Sequence, residues 1–169
     1  LAKLLDNHQE IKVKDELQAQ LIELIKLRYP KEKYSDAETQ VLIDQHLNGL
    51  SEEKYGVWAY YEWNNTLVHI LDRDEFYEVK TNRNQHKITR EESDLLSQQI
   101  VGVVGLSVGR TIAITMTMEH SYGEIRIADF DVLDLSNYNR IRAGLNDLGI
   151  KKTISVAREI AEIDPYVKV

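Results

Sequence analysis

Between Ile100 and Lys152 the chain spaces glycines, acids and cations in an order that suits a bound nucleotide. The run IVGVVGLSVGR (100–110) is apolar, then turns through Gly105 and Gly109. Gly105 would permit a tight turn and Gly109 a close approach of helix to strand. The N-terminus of the following helix would offer free N–H groups and about half a positive charge to a phosphate. Ser107 stands where the second glycine of a full G-x-G-x-x-G is expected. Asp129 follows the next apolar run, 24 residues after Gly105. At that spacing a strand-end acid can accept hydrogen bonds from ribose hydroxyls, a role for which Asp131 and Asp134 compete. A polar segment with Asn137 and Arg140 comes next, and a fixed arginine there can meet negative charge developing on a phosphate.

Gly105-Leu106-Ser107-Val108-Gly109 also fits G-x-S-x-G, the nucleophile elbow of α/β hydrolases. That chemistry needs a histidine downstream. Only His120 follows Ser107, at the far end of the helix that the serine opens, where it cannot fold back. A third reading leaves the glycines as turn-formers in a Rossmann-like fold that binds nothing.

The elements that must position these residues change character along the chain. Residues 1–50 read as helical, with Val13, Leu17, Leu21, Leu24 and Ile25 on one stripe of period 3.6. The first helix should stop near Tyr29-Pro30. Ser35 and Glu38 have capping-box spacing, and Val41, Leu42 and Leu47 follow before a stop at Asn48-Gly49. Both stripes read as core faces. VWAYYEW and TLVHIL (57–71) suggest a β-hairpin about Asn64-Asn65. Asn64-Asn65-Thr66 is also a glycosylation sequon, read here as a turn. The charged segment 72–88 reads as a connector lying over the next domain, and Thr89 and Glu92 form a second capping box. From Ile100 the order becomes strand (100–104), helix (about 110–120), strand (124–128), helix (about 150–163). VKV at 167–169 opens a third strand. Such alternation implies a parallel sheet with crossover helices. The expected fold is therefore α/β, a Rossmann-like parallel sheet with helices over 81–169, preceded by a small α+β region over 1–80.

The 169 residues are 43% hydrophobic, as in an ordinary soluble domain. A net charge of −7 argues against a general nucleic-acid or membrane-surface binder. With no cysteine, disulfides, thiolate zinc sites and a cysteine nucleophile on this chain are excluded. That composition fits a cytoplasmic protein. No apolar run approaches the roughly 20 residues needed to span a bilayer. The chain begins at Leu1 and ends at Val169 within a βαβ pattern, and so reads as a fragment of a longer protein.

The segment ADFDVLDLSNYNR (128–140), with Gly149-Ile150-Lys151-Lys152 and a helix ending IAEIDP, resembles the ThiF/MoeB and ubiquitin-activating superfamily. The pattern of that superfamily is an acid-x-Asp-x-Val-x-x-Ser-Asn-Leu-x-Arg run, a Gly-x-x-Lys and a helix ending before a proline. Asp129, Asp131, Ser136, Asn137, Arg140, Gly149, Lys152 and Pro165 match in order. The resemblance spans about residues 85–169. It implies ATP-dependent adenylation of a carboxylate, with Asp129 on the ribose, Asn137 and Arg140 facing the phosphates and Lys152 near the α-phosphate. Arginine suits planar multi-point contact and lysine a point charge. The resemblance further implies ATP with Mg2+ as cofactors and an acceptor such as the C-terminus of a ubiquitin-like or sulfur-carrier protein. It also implies an upstream arginine, for which Arg83 stands at a suitable distance, that enters the neighbouring subunit's site in a homodimer.

Departures from the pattern are plain. The glycine loop is altered, Tyr138 replaces the usual leucine, and Ile141 stands where glutamine is common. No residue here is assigned to the metal, whose aspartate would lie beyond Val169. The segment alone is therefore expected to be inactive, holding half of an adenylation site. The resemblance extends to a divergent bacterial ThiF-like group, some of whose members are fused to a nitroreductase-like half. An NAD- or FAD-binding module of an oxidoreductase is the alternative. A degenerate binding or dimerisation module is the other.

Overall fold

A computed structural model describes residues 10–30 and 33–169. The helical reading of residues 1–9 lies outside these, as do positions 31–32. The chain divides into two compact units, Leu1–Arg83 and Asn84–Val169.

The first unit is α+β. Strand β1 (Lys12–Asp15) leads into α1 (Leu17–Arg28) and α2 (Asp36–Leu47), followed by β2 (Val57–Tyr61), β3 (Thr66–Ile70) and α3 (Arg73–Thr81). The sheet order is β1-β3-β2, with β2 antiparallel and β1 parallel to β3. Leu17, Leu21, Leu24 and Ile25 are buried at helical spacing, and with Ile43, Leu47 and Leu71 they form the core. The Ser35–Glu38 capping box forms in full, and Asn48 ends α2 in the left-handed conformation.

Three details correct the sequence reading. Val13 does not belong to the helical stripe. It lies in β1, 48% exposed, because Asp15 breaks the helix pattern by accepting from the Leu17 N–H and from the His69 ring. Val41 is 55% exposed; Leu47 is buried as expected, and Ile43 joins it on the buried face of α2 in place of Val41. Most of segment 72–88 is not a bare connector: α3 occupies Arg73–Thr81. Few apolar residues are needed, because Phe76 and Val79 reach the first unit's core. Asp72 caps the helix by accepting from the Glu75 N–H, and Arg28 pairs with Glu75 and Glu78.

The second unit is the α/β part. A capping box of Thr89 and Glu92 starts α4 (Arg90–Leu96). Strand β4 (Ile100–Val104), α5 (Gly109–Glu119), β5 (Glu124–Ala128) and α6 (Lys152–Ile163) follow. β4 and β5 pair in parallel with Ile100 opposite Glu124 and Val104 opposite Ala128. Lys168 bridges in parallel to Glu124 and accepts from the Ile125 N–H, beginning the third strand. Leu106, Ala113, Tyr122, Ile125, Val156 and Ile160 make the core between helices and sheet. Tyr122 is fully buried, and its hydroxyl is satisfied by Thr117. Among the described residues no helix is long and apolar enough to cross a membrane.

Candidate nucleotide site

The parallel register builds this site. The offset between paired residues of β4 and β5 is 24, from Ile100 opposite Glu124 to Val104 opposite Ala128. One step beyond the strands, the same offset sets Gly105 beside Asp129. The Gly105 N–H donates to the Ala128 carbonyl at 2.8 Å, prolonging the ladder. Gly105 then turns with φ +85°, and the Leu106 N–H donates to Asp129 Oδ2 at 2.6 Å. Asp129 Oδ1 accepts from the Asp131 N–H at 2.8 Å. The acid therefore latches the glycine turn to the strand beside it. An ionised carboxylate has about four acceptor positions; with the Leu106, Asp131 and Phe130 N–H groups on it, one remains for a ligand's hydroxyl. Partial burial pushes the Asp129 carboxyl upward. The donors of Leu106, Asp131 and Phe130 and the charge of Lys152 together outweigh this and hold it below the usual range.

Behind the turn, α5 starts at Gly109 with no side chain capping it. A Cβ at Gly109 would meet Val103 Cγ1 at 2.6 Å, so the absence of a side chain lets the helix lie directly on β4. α6 also starts uncapped. It is tied to the segment after β5, where the Lys152 N–H donates to the Asp131 carbonyl at 3.0 Å and Val132 bridges to Lys151. This docking brings Lys152 Nζ to 2.7 Å from Asp131 Oδ2 and 3.4 Å from Ser107 Oγ, with the lysine 3% exposed.

Ser107, Asp129, Asp131 and Lys152 are thus gathered at the carboxyl ends of β4 and β5, the position at which open α/β sheets bind ligands. Phe130, between the two acids, is 94% exposed there. Two carboxylates against one ammonium leave the side chains with a net negative charge. A triphosphate would need the two helix N-termini and a countercation to balance it. Among the described residues no group of three or more His, Cys, Asp or Glu could hold a metal ion.

The other expected residues make local contacts of their own. Asn137 is buried, and its Oδ1 accepts from the Asp134 N–H at 3.1 Å, shaping the 3-10 turn Leu135–Asn139. Arg140 is exposed, and its Nη1 donates to Ser136 O and Asn139 Oδ1. Arg83 lies exposed in the 3-10 turn Asn82–Asn84 that ends the first unit. The departures at 138 and 141 have structural reasons. Tyr138 donates to the Gly144 carbonyl at 2.6 Å, and Ile141 is buried. His120 caps the distal end of α5, about 16 Å along the helix from its start, so the hydrolase geometry is not formed with it.

Sequence reasoning passed over a polar link between α5 and α6 centred on a buried arginine. Arg110, 6% exposed, donates from Nη1 to Ser155 Oγ at 2.8 Å. Ser155 donates to Asp147 Oδ2 at 2.6 Å. Its signals were a cation in the first turn of α5, where the helix dipole disfavours one, and a serine three residues after Lys152.

The pattern of the ThiF family matches residues 80–169, more than half of the chain. The chain belongs to the ThiF family. Among curated relatives of this ThiF chain is the "Uncharacterized protein MT1398" of Mycobacterium tuberculosis (strain CDC 1551 / Oshkosh), 48% identical over 112 residues. That match covers 66% of this chain but 16% of the relative. Among solved structures, E. coli tRNA N6-threonylcarbamoyladenosine dehydratase, TcdA, shares the ThiF-type fold. It superposes with a TM-score of 0.52 and 24% identity over 56% of this chain and 40% of its own. A second TcdA structure, in complex with AMP, matches with the same score and identity and covers 56% of this chain and 39% of its own.

Proposed function

We propose that this ThiF segment forms the nucleotide-binding half of an ATP-dependent adenylyltransferase that activates a carboxylate. The observation that carries the reading is the cluster of Lys152, Asp131 and Ser107 at a glycine turn latched by Asp129. In adenylation a carboxylate oxygen attacks the α-phosphorus and pyrophosphate leaves, so negative charge moves onto phosphate oxygens. A nearly buried ammonium already in place stabilises that charge without reorganisation. Asp129 would accept from a ribose hydroxyl with its spare acceptor position, and exposed Phe130 offers an apolar face beside it. Arg140 would swing from its own turn to the phosphates. Mg2+ would supply the missing positive charge, held by a residue outside this segment. The acceptor is a carboxylate such as the C-terminus of a small ubiquitin-like or sulfur-carrier protein. Arg83 would serve a partner's site in a cytoplasmic homodimer. The segment alone would bind weakly and transfer nothing.

Calorimetric titration of Mg-ATP, NAD and FAD into the longest soluble form of the parent protein tests this. Saturable binding of ATP alone is expected. Binding of NAD or FAD alone would replace the reading with an oxidoreductase module, and binding of none would leave a scaffold that acts through partners.

A further inference from the structure

We propose that Arg110 is a positioning residue that holds Lys152 at the glycine turn. Its importance to phosphate recognition rests on the nucleotide reading above, whereas its hold on Lys152 does not. Arg110 follows Gly109 at the start of α5, directly behind the turn. Its guanidinium is buried and reaches across to α6, where Nη1 donates to Ser155 Oγ at 2.8 Å and Nη2 lies 2.5 Å from Glu159 Oε2. The Glu159 contact is a charge pair rather than an aligned hydrogen bond. The Ser155 hydroxyl donates a hydrogen bond to Asp147 Oδ2 at 2.6 Å. Ser155 and Glu159 lie three and seven residues after Lys152, on the same side of α6 as the lysine.

The arrangement has a directional consequence. A cation at a helix N-terminus opposes the helix dipole, and a buried charge is tolerated only when paired and hydrogen-bonded. A leucine here would join α5 to α6 by non-directional contact and would let α6 slide. The planar guanidinium presents a fixed fork of donors. Its two α6 partners, four residues apart, fix rotation and translation of α6 relative to the turn. Lys152 sits on the first turn of α6, so the fork sets how far Nζ stands from Ser107. Asp147 extends the tie into the loop that leads to Gly149 and α6.

The test uses the full parent protein with Arg110→Leu, Arg110→Lys, Ser155→Ala and, as a destabilised control, Ile125→Val. Brief acetylation with an amine-reactive ester, read by peptide mass spectrometry, gives the ratio of labelling at Lys152 to that at its exposed neighbour Lys151. Wild type should protect Lys152. Arg110→Leu and Ser155→Ala should raise the ratio severalfold, Arg110→Lys should restore part of the protection, and Ile125→Val should leave the ratio unchanged. Mg-ATP should bind about tenfold more weakly to Arg110→Leu, as expected when a charge-assisted contact is loosened, while adenosine affinity stays constant. If Arg110→Leu does not fold, Ser155→Ala carries the same two readouts.

An unchanged labelling ratio overturns the proposal, whatever the nucleotide result. A raised ratio with the affinity of an ATP-binding wild type unchanged overturns the role of that hold in phosphate recognition and supports the hold itself. If the wild type binds no ATP and the ratio still follows Arg110, the nucleotide reading fails and the positioning stands.

Discussion

The pair Lys152–Asp131 is asymmetric, and its two halves should respond differently to removal. Lys152 is 3% exposed and Asp131 49% exposed, with 2.7 Å between Nζ and Oδ2. Asp131→Ala strands an ammonium in the interior, with Ser107 Oγ at 3.4 Å as a remaining acceptor. Breaking a fully buried pair in this way costs about 3–5 kcal/mol. Here the half-exposed carboxylate shows that water reaches the pair, so screening reduces the cost to about 1.5–2.5 kcal/mol. Lys152→Met removes the buried charge, keeps most of the apolar stem and releases Asp131 to water. It should change stability by less than about 1 kcal/mol in either direction. Urea denaturation of the parent protein and both variants measures the difference. The function should run the other way. Lys152→Met should lose about 1.5–3 kcal/mol of Mg-ATP affinity, one charge-assisted contact, and keep its affinity for adenosine. If Lys152→Met destabilises the protein as much as Asp131→Ala does, the lysine is a structural member of the fold, and the reasoning from its burial is refuted.

Three further outcomes follow from the same geometry. Gly109→Ala should destabilise by about 1–3 kcal/mol, since its Cβ would press on the stiff side chain of Val103 at 2.6 Å. Gly102→Ala, with open space at that position, should be near neutral, and thermal melts of the two variants measure the difference. The lowered Asp129 carboxyl stabilises the folded state fully above its unfolded pKa of about 3.9, and that stabilisation fades as pH falls through the folded value. The stability gap between wild type and Asp129→Asn should therefore be constant at neutral pH and close in acid. A gap that widens in acid would contradict the hydrogen-bond assignment. Arg140→Ala should leave stability within about 0.5 kcal/mol while weakening ATP binding, and a large stability loss with unchanged binding would make Arg140 structural.

Where the sequence was legible, the signal was local. Capping boxes at Ser35 and Thr89, the stripe from Leu17 to Ile25, the hairpin at 57–70 and the run through β4, α5 and β5 all depend on residues within a few positions of each other. Strand β1 was not legible, because its pairing with β3 crosses more than fifty residues and its own four side chains are exposed. Helix α3 was missed although Asp72 and Glu75 repeat the spacing of the other caps, since its sparse apolar content hid the pattern. At the site, the spacing of Gly105 and Asp129 was readable. The grouping of Ser107 with Lys152 depends on how α6 docks, and the buried Arg110 link joins residues 45 positions apart. No periodicity in the sequence encodes such a contact.

The register explains why one acid can serve fold and ligand together. Because β4 and β5 hold a constant offset of 24, any residue just after β5 must lie beside the residue just after β4. An acid there accepts from the turn's backbone whether or not a ligand is present, as Asp129 does from Leu106. The turn therefore stays open at the ends of the strands, with its helix behind it and without a side-chain cap on α5 that a phosphate would have to displace. A full set of glycines is then not required to hold the loop's shape. Ser107 can occupy one of those positions and reach Lys152, so the altered glycine loop is compatible with a site that still gathers an ammonium, an acid and two helix N-termini.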